Sequence, residues 1–214
     1  MSASIVFYYA SGSPYAWRVW LALDVRRMAF ERKLLSFDAG DLQKPDFTAL
    51  NPRQRVPVIV DGDLVLRESA AIVEYLDERE APGNRLFAKE PKARARQRQM
   101  IREADNYLAR RMEEFAELLF ADGGAHDATA IADAAAGLQR ELDFWDREVE
   151  RQPKTASLSA VDITVFPILA LVNRFIPRAG DAAATLSFGP TLSQWYTRLE
   201  ANDHVRNTRP PHWK

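Results

Sequence analysis

The sequence predicts an α/β domain followed by an all-helical one, and two observations carry that expectation. Up to about residue 80 the apolar pattern keeps switching between strand and helix periods, whereas beyond residue 90 it stays helical. Between them Glu80-Ala81-Pro82-Gly83-Asn84 breaks both patterns. The expected organisation is a first domain at 1–80, a linker at 81–90 and a helical domain at 91–214.

Ile5 to Tyr9 is a β-branched and aromatic run stopped by Ala10-Ser11-Gly12, which reads as a buried strand. A helix follows at once: Ser13 stands where an N-cap belongs and Pro14 takes the first helical position, where its missing N–H costs nothing. Trp17, Val19 to Leu21 and Leu23 supply the apolar face of that helix. Phe30 to Phe37 is a weaker strand candidate, and the polar stretch Asp38 to Lys44 opens an irregular link. Pro57 to Val60 and Leu64 to Leu66 flank Asp61-Gly62-Asp63, a hairpin signal because glycine supplies a positive φ. Ser69 to Leu76 restores the helical period. The order is βαβ, a link, then ββα.

In the second half Pro91 can open a long helix, apolar at Met100, Ala104, Tyr107, Leu108, Met112, Phe115 and Leu119, that Gly123-Gly124 stops. A second helix is expected from Thr129 to Val149. A third, Ala160 to Val172, is apolar nearly all round and should be the buried spine. Ser159 and Asp162 stand three apart as in a capping box, and Leu158 and Ile163 occupy the positions of a hydrophobic staple. Pro167 falls inside and should cost a hydrogen bond. Leu192, Trp195, Tyr196 and Leu199 mark a last helix.

Composition narrows the function. The 214 residues are 47% hydrophobic and 28% charged, with no cysteine, so disulfides, thiolate metal sites and a cysteine nucleophile are out. Net charge is −1 overall, and no strong field offers itself to nucleic acid or an anionic membrane. No apolar run is expected to reach a membrane span of ~20 residues, and the first residues lack the cationic start of a signal peptide. The expected compartment is the cytoplasm. His126, His204 and His212 show no metal-ligand spacing, and no phosphate-binding glycine loop is present. The basic run Lys92, Arg94, Arg96, Arg98 and Arg102 reads as a solvated helix face.

Two stretches carry chemistry. In Tyr9-Ala10-Ser11-Gly12-Ser13-Pro14-Tyr15 a hydroxyl sits at the mouth of a helix directly after a strand, where free N–H groups and the positive macrodipole end favour an anion such as a thiolate. The competing reading of Ser13 is a helix cap and nothing more. The second stretch runs from Asn51 through Val56-Pro57 to Glu68-Ser69. If the Val56-Pro57 bond is cis, the Val56 main chain can pair with a peptide-like ligand. Ser69 at a helix start suits a carboxylate, and Glu68 suits an ammonium.

With Asn51-Pro52, Val56-Pro57, Glu68-Ser69 and the Ser159 to Asp162 capping box in register, the chain resembles the cytosolic glutathione transferases over almost its whole length. It looks most like the serine-type bacterial members, with some zeta- and tau-like features. The resemblance implies a thioredoxin-like N-terminal domain that binds glutathione, and an all-α C-terminal domain supplying a site for a hydrophobic electrophile. It implies that Ser13 hydrogen-bonds the glutathione sulfur, with Ser11 as its rival. Val56, preceding Pro57 in an expected cis bond, would pair by its main chain with the cysteinyl part. Glu68 and Ser69 would hold the γ-glutamyl amino and carboxylate groups, and Arg55 would face the glycine carboxylate. Tyr15, Tyr107 and Trp213 are the aromatic candidates for the electrophile pocket. Tyr8 and Tyr9 are assigned to the core, because consecutive strand residues face opposite sides.

The implied reaction turns on acidity. A thiol with pKa near 8.5 is a few per cent thiolate at pH 7, and a Ser13 hydrogen bond with the helix N-terminus could lower that by about one to two units. No cofactor is implied beyond glutathione as co-substrate, and no metal. The partners implied are glutathione, a small electrophile and a second copy of the chain in a homodimer, with no nucleic acid and no membrane. Two other activities stay open: glutathione-dependent isomerisation of a maleylacetoacetate-type substrate, and a non-catalytic partner-binding role on the same fold.

Overall fold

In a computed structural model the described residues are 5–120, 127–151 and 157–213. Four strands, β1 (Ile5–Ala10), β2 (Phe30–Leu35), β3 (Val58–Asp61) and β4 (Leu64–Arg67), form one sheet in the order β2-β1-β3-β4. β1 runs parallel to β2 and antiparallel to β3, which pairs antiparallel with β4. With its helices this is a thioredoxin-like α/β unit, and the rest of the chain is helical. β1 is central, so Ile5, Phe7 and Ala10 are buried, while edge strand β2 is largely exposed. That exposure explains why Phe30 to Phe37 has only a weak strand pattern. Tyr9 packs on Phe7 and Trp20, and Tyr8 on Phe47.

Helix α1 (Pro14–Val25) is buried almost all round because it lies between the sheet and the second half. The segment read as irregular forms a 3₁₀ turn (Asp41–Gln43) and a short helix α2 (Pro45–Leu50). Six residues are too few for an amphipathic repeat, although Pro45 at the first helical position was a local signal. Leu42 and Phe47 bury this piece against Ala10, Val56 and Val58. Helix α3 (Ser69–Glu78) completes the first half.

Residues 81–90 cross the end of α1. The Arg26 guanidinium, 2% exposed, donates to the carbonyls of Leu76 (3.2 Å), Gly83 (2.8 Å) and Arg79 (2.6 Å). A Cβ on Gly83 would lie 2.1 Å from the Val25 carbonyl oxygen, so only glycine fits this crossing.

The expected long helix from Pro91 is three pieces: α4 (Pro91–Glu103), a π turn at Ala104–Leu108, and α5 (Ala109–Leu119). The proposed stop at Gly123-Gly124 and His126 lie outside the described residues. Helix α6 (Ala128–Glu150) is followed by α7 (Ala160–Ala179). The capping box forms: Ser159 N–H donates to Asp162 Oδ2 at 2.8 Å and Asp162 N–H to Ser159 Oγ at 3.2 Å. α7 continues through Pro167 and Pro177, well past Val172. Its 20 residues make it long and apolar enough to cross a membrane, contrary to the sequence expectation, but 72% of its most apolar window is buried in the protein. It is the spine against which α1, α4 and α5 pack. Helices α8 (Pro190–Glu200) and α9 (Asp203–Thr208) close the fold, and the final residues return to α1.

Two arginines on the basic face of α4 find acids within their own chain. Arg98 meets Glu74 at 2.9 Å and Arg96 meets Glu148 at 2.7 Å.

Candidate functional site

A cleft of about 470 Å³ opens where the first half meets α4 and the π turn. Arg53, Arg55, Val56 and Pro57 line it from the loop before β3. Glu68, Ser69, Ala70 and Ala71 line it from the start of α3, and Tyr15 from α1. Arg102, Asp105 and Asn106 come from the second half. Three arginines face two carboxylates there, so both anionic and cationic ends of a zwitterion find counter-charges.

Asn51, buried, organises the first wall. Its Nδ2 donates to the Arg55 carbonyl at 2.6 Å and its Oδ1 accepts the Arg53 N–H at 3.1 Å. This clamps the turn in which Gln54 has φ +55°. The Val56–Pro57 bond is cis, as the sequence reading expected.

At the second wall Glu68 has φ +68°, a left-handed conformation that a non-glycine side chain adopts only under constraint from its surroundings. Ser69 Oγ accepts a hydrogen bond from Arg18 Nη1 at 3.1 Å, which leaves its own hydroxyl hydrogen to serve an acceptor. Arg18 is 1% exposed and pairs with both oxygens of Asp105, one at 3.2 Å and the other closer. Sequence reading passed over this role. The available signal was an arginine inside the apolar run Trp17-Arg18-Val19-Trp20, since buried arginines need partners.

Ser13 caps α1: its Oγ accepts the Ala16 N–H at 3.2 Å. The bond uses an oxygen lone pair, so the hydroxyl hydrogen is still available as a donor, and the cap and thiol readings are compatible. Ser11 Oγ instead lies 2.8 Å from His212 Nδ1. Neither serine is among the residues lining the cleft; both stand in the loop that leads into α1, one turn from Tyr15.

The three aromatic candidates separate. Tyr15 lines the cleft, and its hydroxyl donates to Glu113 Oε1 at 2.7 Å. Burial, reinforced by that bond, pushes its acidity far down, so it stays a neutral phenol. Tyr107 is 58% exposed outside the cleft. Trp213 is 7% exposed and packs edge-on to Trp17, with ring centroids 5.3 Å apart, under the Arg174 guanidinium. Among the described residues no group of three or more metal-ligating side chains exists.

Residues 12–79 match the family model for the glutathione S-transferase N-terminal domain. Glutathione S-transferase A of Pleuronectes platessa is 28% identical over 221 aligned positions, covering 100% of this chain and 94% of that protein. A probable maleylacetoacetate isomerase of Vibrio cholerae is 39% identical over 77 residues, 35% of this chain and 36% of that one. The crystal structure of a glutathione S-transferase from the Antarctic clam Laternula elliptica superposes with a TM-score of 0.81 at 26% identity, covering 99% of this chain and 94% of that one.

Proposed function

We propose that this chain, which belongs to the glutathione S-transferase family, binds glutathione in the 470 Å³ cleft and activates its thiol at Ser13 for attack on a hydrophobic electrophile. The observation that carries the proposal is the convergence of Arg55, Val56, Glu68 and Ser69 on one cleft from two separate stretches of sequence. In this reading Glu68 takes the γ-glutamyl ammonium, Ser69 its carboxylate, and Arg55 the glycine carboxylate. The Val56 main chain pairs with the cysteinyl unit. Ser13 donates its free hydroxyl hydrogen to the sulfur while its oxygen caps α1. That bond and the helix N-terminus favour the anion, so a larger fraction of bound thiol is ionised at neutral pH. Ser13 forms no covalent bond. The thiolate attacks the electrophile, a carbon–sulfur bond forms, and the leaving group departs or the acceptor takes up a proton.

The division of labour proposed is a glutathione-binding domain at 1–80, a linker at 81–90 and a helical domain at 91–214 that supplies the electrophile's surroundings, with Tyr15 at the boundary. We also infer a cytoplasmic homodimer that needs no cofactor besides its co-substrate. Sedimentation tests the dimer: a mass near 49 kDa is expected, about twice the 24.3 kDa chain.

The local likeness to a probable maleylacetoacetate isomerase favours one second reading, cis–trans isomerisation through reversible thiolate addition. Calorimetry with glutathione, then turnover of electrophiles against maleylacetoacetate, decides. Binding with conjugation supports the first reading, binding with isomerisation alone supports the second, and no binding overturns both.

A further inference from the structure

The end of the chain comes back to the mouth of α1 and carries a titratable side chain with it. His204 Nδ1 lies 2.6 Å from Asp24 Oδ2 of α1, and Thr208 Oγ1 accepts the Trp17 indole N–H at 2.8 Å. Trp213 then packs edge-on to Trp17. These three attachments to one helix bring His212 against the loop after β1, with Nδ1 2.8 Å from Ser11 Oγ. Gly12, at φ +90°, makes the approach possible: a Cβ there would sit 3.2 Å from His212 Nε2 and 3.4 Å from Trp213 Nε1. Among the described residues His212 is the titratable side chain hydrogen-bonded to the 11–13 loop.

The charge of the ring decides what that contact does. A neutral imidazole can offer Nδ1 as an acceptor and hold the Ser11 hydroxyl hydrogen. A protonated ring can only donate, so Ser11 Oγ accepts and its hydrogen is released to point elsewhere. We propose that His212 is a positioning residue for thiolate formation, acting through Ser11: its protonated ring donates to Ser11 Oγ and turns the Ser11 hydroxyl hydrogen toward the sulfur that Ser13 also holds. The inference rests on the reading above that the thiolate forms at this helix mouth. Coupling is reciprocal, since an imidazolium favours the nearby thiolate and the thiolate favours the imidazolium. The other charges around the tail are committed elsewhere. Arg174 of α7 lies over Trp213, Asp24 of α1 is held by His204, and Arg18 of α1 turns away to Ser69 and Asp105. On α9 and just after it, Arg206 pairs with Asp203 and Arg209 with Glu200 of α8.

The test uses the full chain and the variant His212→Asn, whose amide can still hydrogen-bond Ser11 but cannot take a charge. For both, kcat/KM for glutathione conjugation is followed from about pH 5 to 8.5, alongside the thiolate absorbance of bound glutathione and its calorimetric Kd. The wild-type to variant ratio is expected to be roughly ten-fold at the acid end of that range and to fall to near one at its alkaline end. The Kd should stay within about two-fold. Ser11→Ala should flatten the profile in the same way, and Ser11→Ala/His212→Asn should lose no more than either alone. A ratio independent of pH, large or small, makes His212 structural and overturns the inference while leaving glutathione activation standing. Wild-type protein that binds no glutathione overturns that reading and the inference together.

Discussion

Arg18 Nη1 donates to Ser69 Oγ across 3.1 Å, from a guanidinium that also grips Asp105 of the cleft's opposite wall. One buried cation thus joins α1, the start of α3 and the π turn of the second half. The carboxylate it holds is 21% exposed, so part of the pair's attraction is unscreened by water.

Replacing Arg18 with Met should therefore be costly. Asp105 would be left beside an apolar side chain, and breaking such a pair by removing one partner costs about 3–5 kcal/mol. Urea denaturation of the variant should show that loss. Arg18→Met/Asp105→Leu should recover much of it, because both charges are then gone. Independent, additive losses in the double variant would mean that the pair is not coupled.

Ser13→Ala separates capping from catalysis. A cap alone is worth about 1 kcal/mol of stability and leaves turnover per folded molecule unchanged. A donor to the thiolate should be worth roughly 2–4 kcal/mol in the reaction, or about 30-fold to 1000-fold in rate, with a raised thiol pKa and little change in glutathione affinity. Ser11→Ala is expected to be mild at neutral pH. If instead Ser11→Ala is crippled and Ser13→Ala is not, the donor is Ser11.

Glu68→Gln keeps the side chain's size in its positive-φ position and removes its charge. Hydrogen bonds to charged groups are worth about 1.5–3 kcal/mol, so KM for glutathione should rise roughly ten-fold to a hundred-fold. The kcat at saturation should change little, because the proposed contact to the sulfur comes from Ser13. A variant with unaltered KM and Kd would remove Glu68 from the glutathione site.

Glu141 links stability to pH. Burial raises its carboxyl pKa; Arg111 opposes the shift and Glu103 adds to it. An acid whose folded pKa is raised is favoured when protonated, so its contribution is best below its unfolded value and is lost as pH climbs through the folded one. Glu141→Gln removes that loss. Its melting temperature should exceed wild type at pH 7 and approach it near pH 3, where the carboxyl is protonated in both states. A gain of equal size at both pH values would point to packing instead of charge.

Much of the fold was legible because its signals are local. Pro14 after Ser13, Gly62 in the β3–β4 hairpin and the Ser159–Asp162 box each act within four residues, and each stands where the pattern put it. The elements that escaped had weak or mixed local signals. α2 is too short for periodicity, and the π turn at Ala104–Leu108 keeps a helical composition while shifting the faces that follow. Two walls of the cleft were also readable, since Val56-Pro57 and Glu68-Ser69 are dipeptides with conformational meaning of their own.

By itself, then, the sequence determined the α/β start, the helical remainder, the absence of thiol chemistry on the protein and the stretch from Asn51 to Ser69 that supplies most of the cleft's first-half lining. Tertiary structure alone decided which polar groups meet. Arg18 finds Ser69 and Asp105 at separations of 51 and 87 residues, Tyr15 finds Glu113 at 98, and Ser11 finds His212 at 201. A hydrogen bond needs two heavy atoms within about 3 Å. Helical and strand periods say which face of an element is buried, but which side chain from the other half of the chain arrives at that distance is set by how those faces pack.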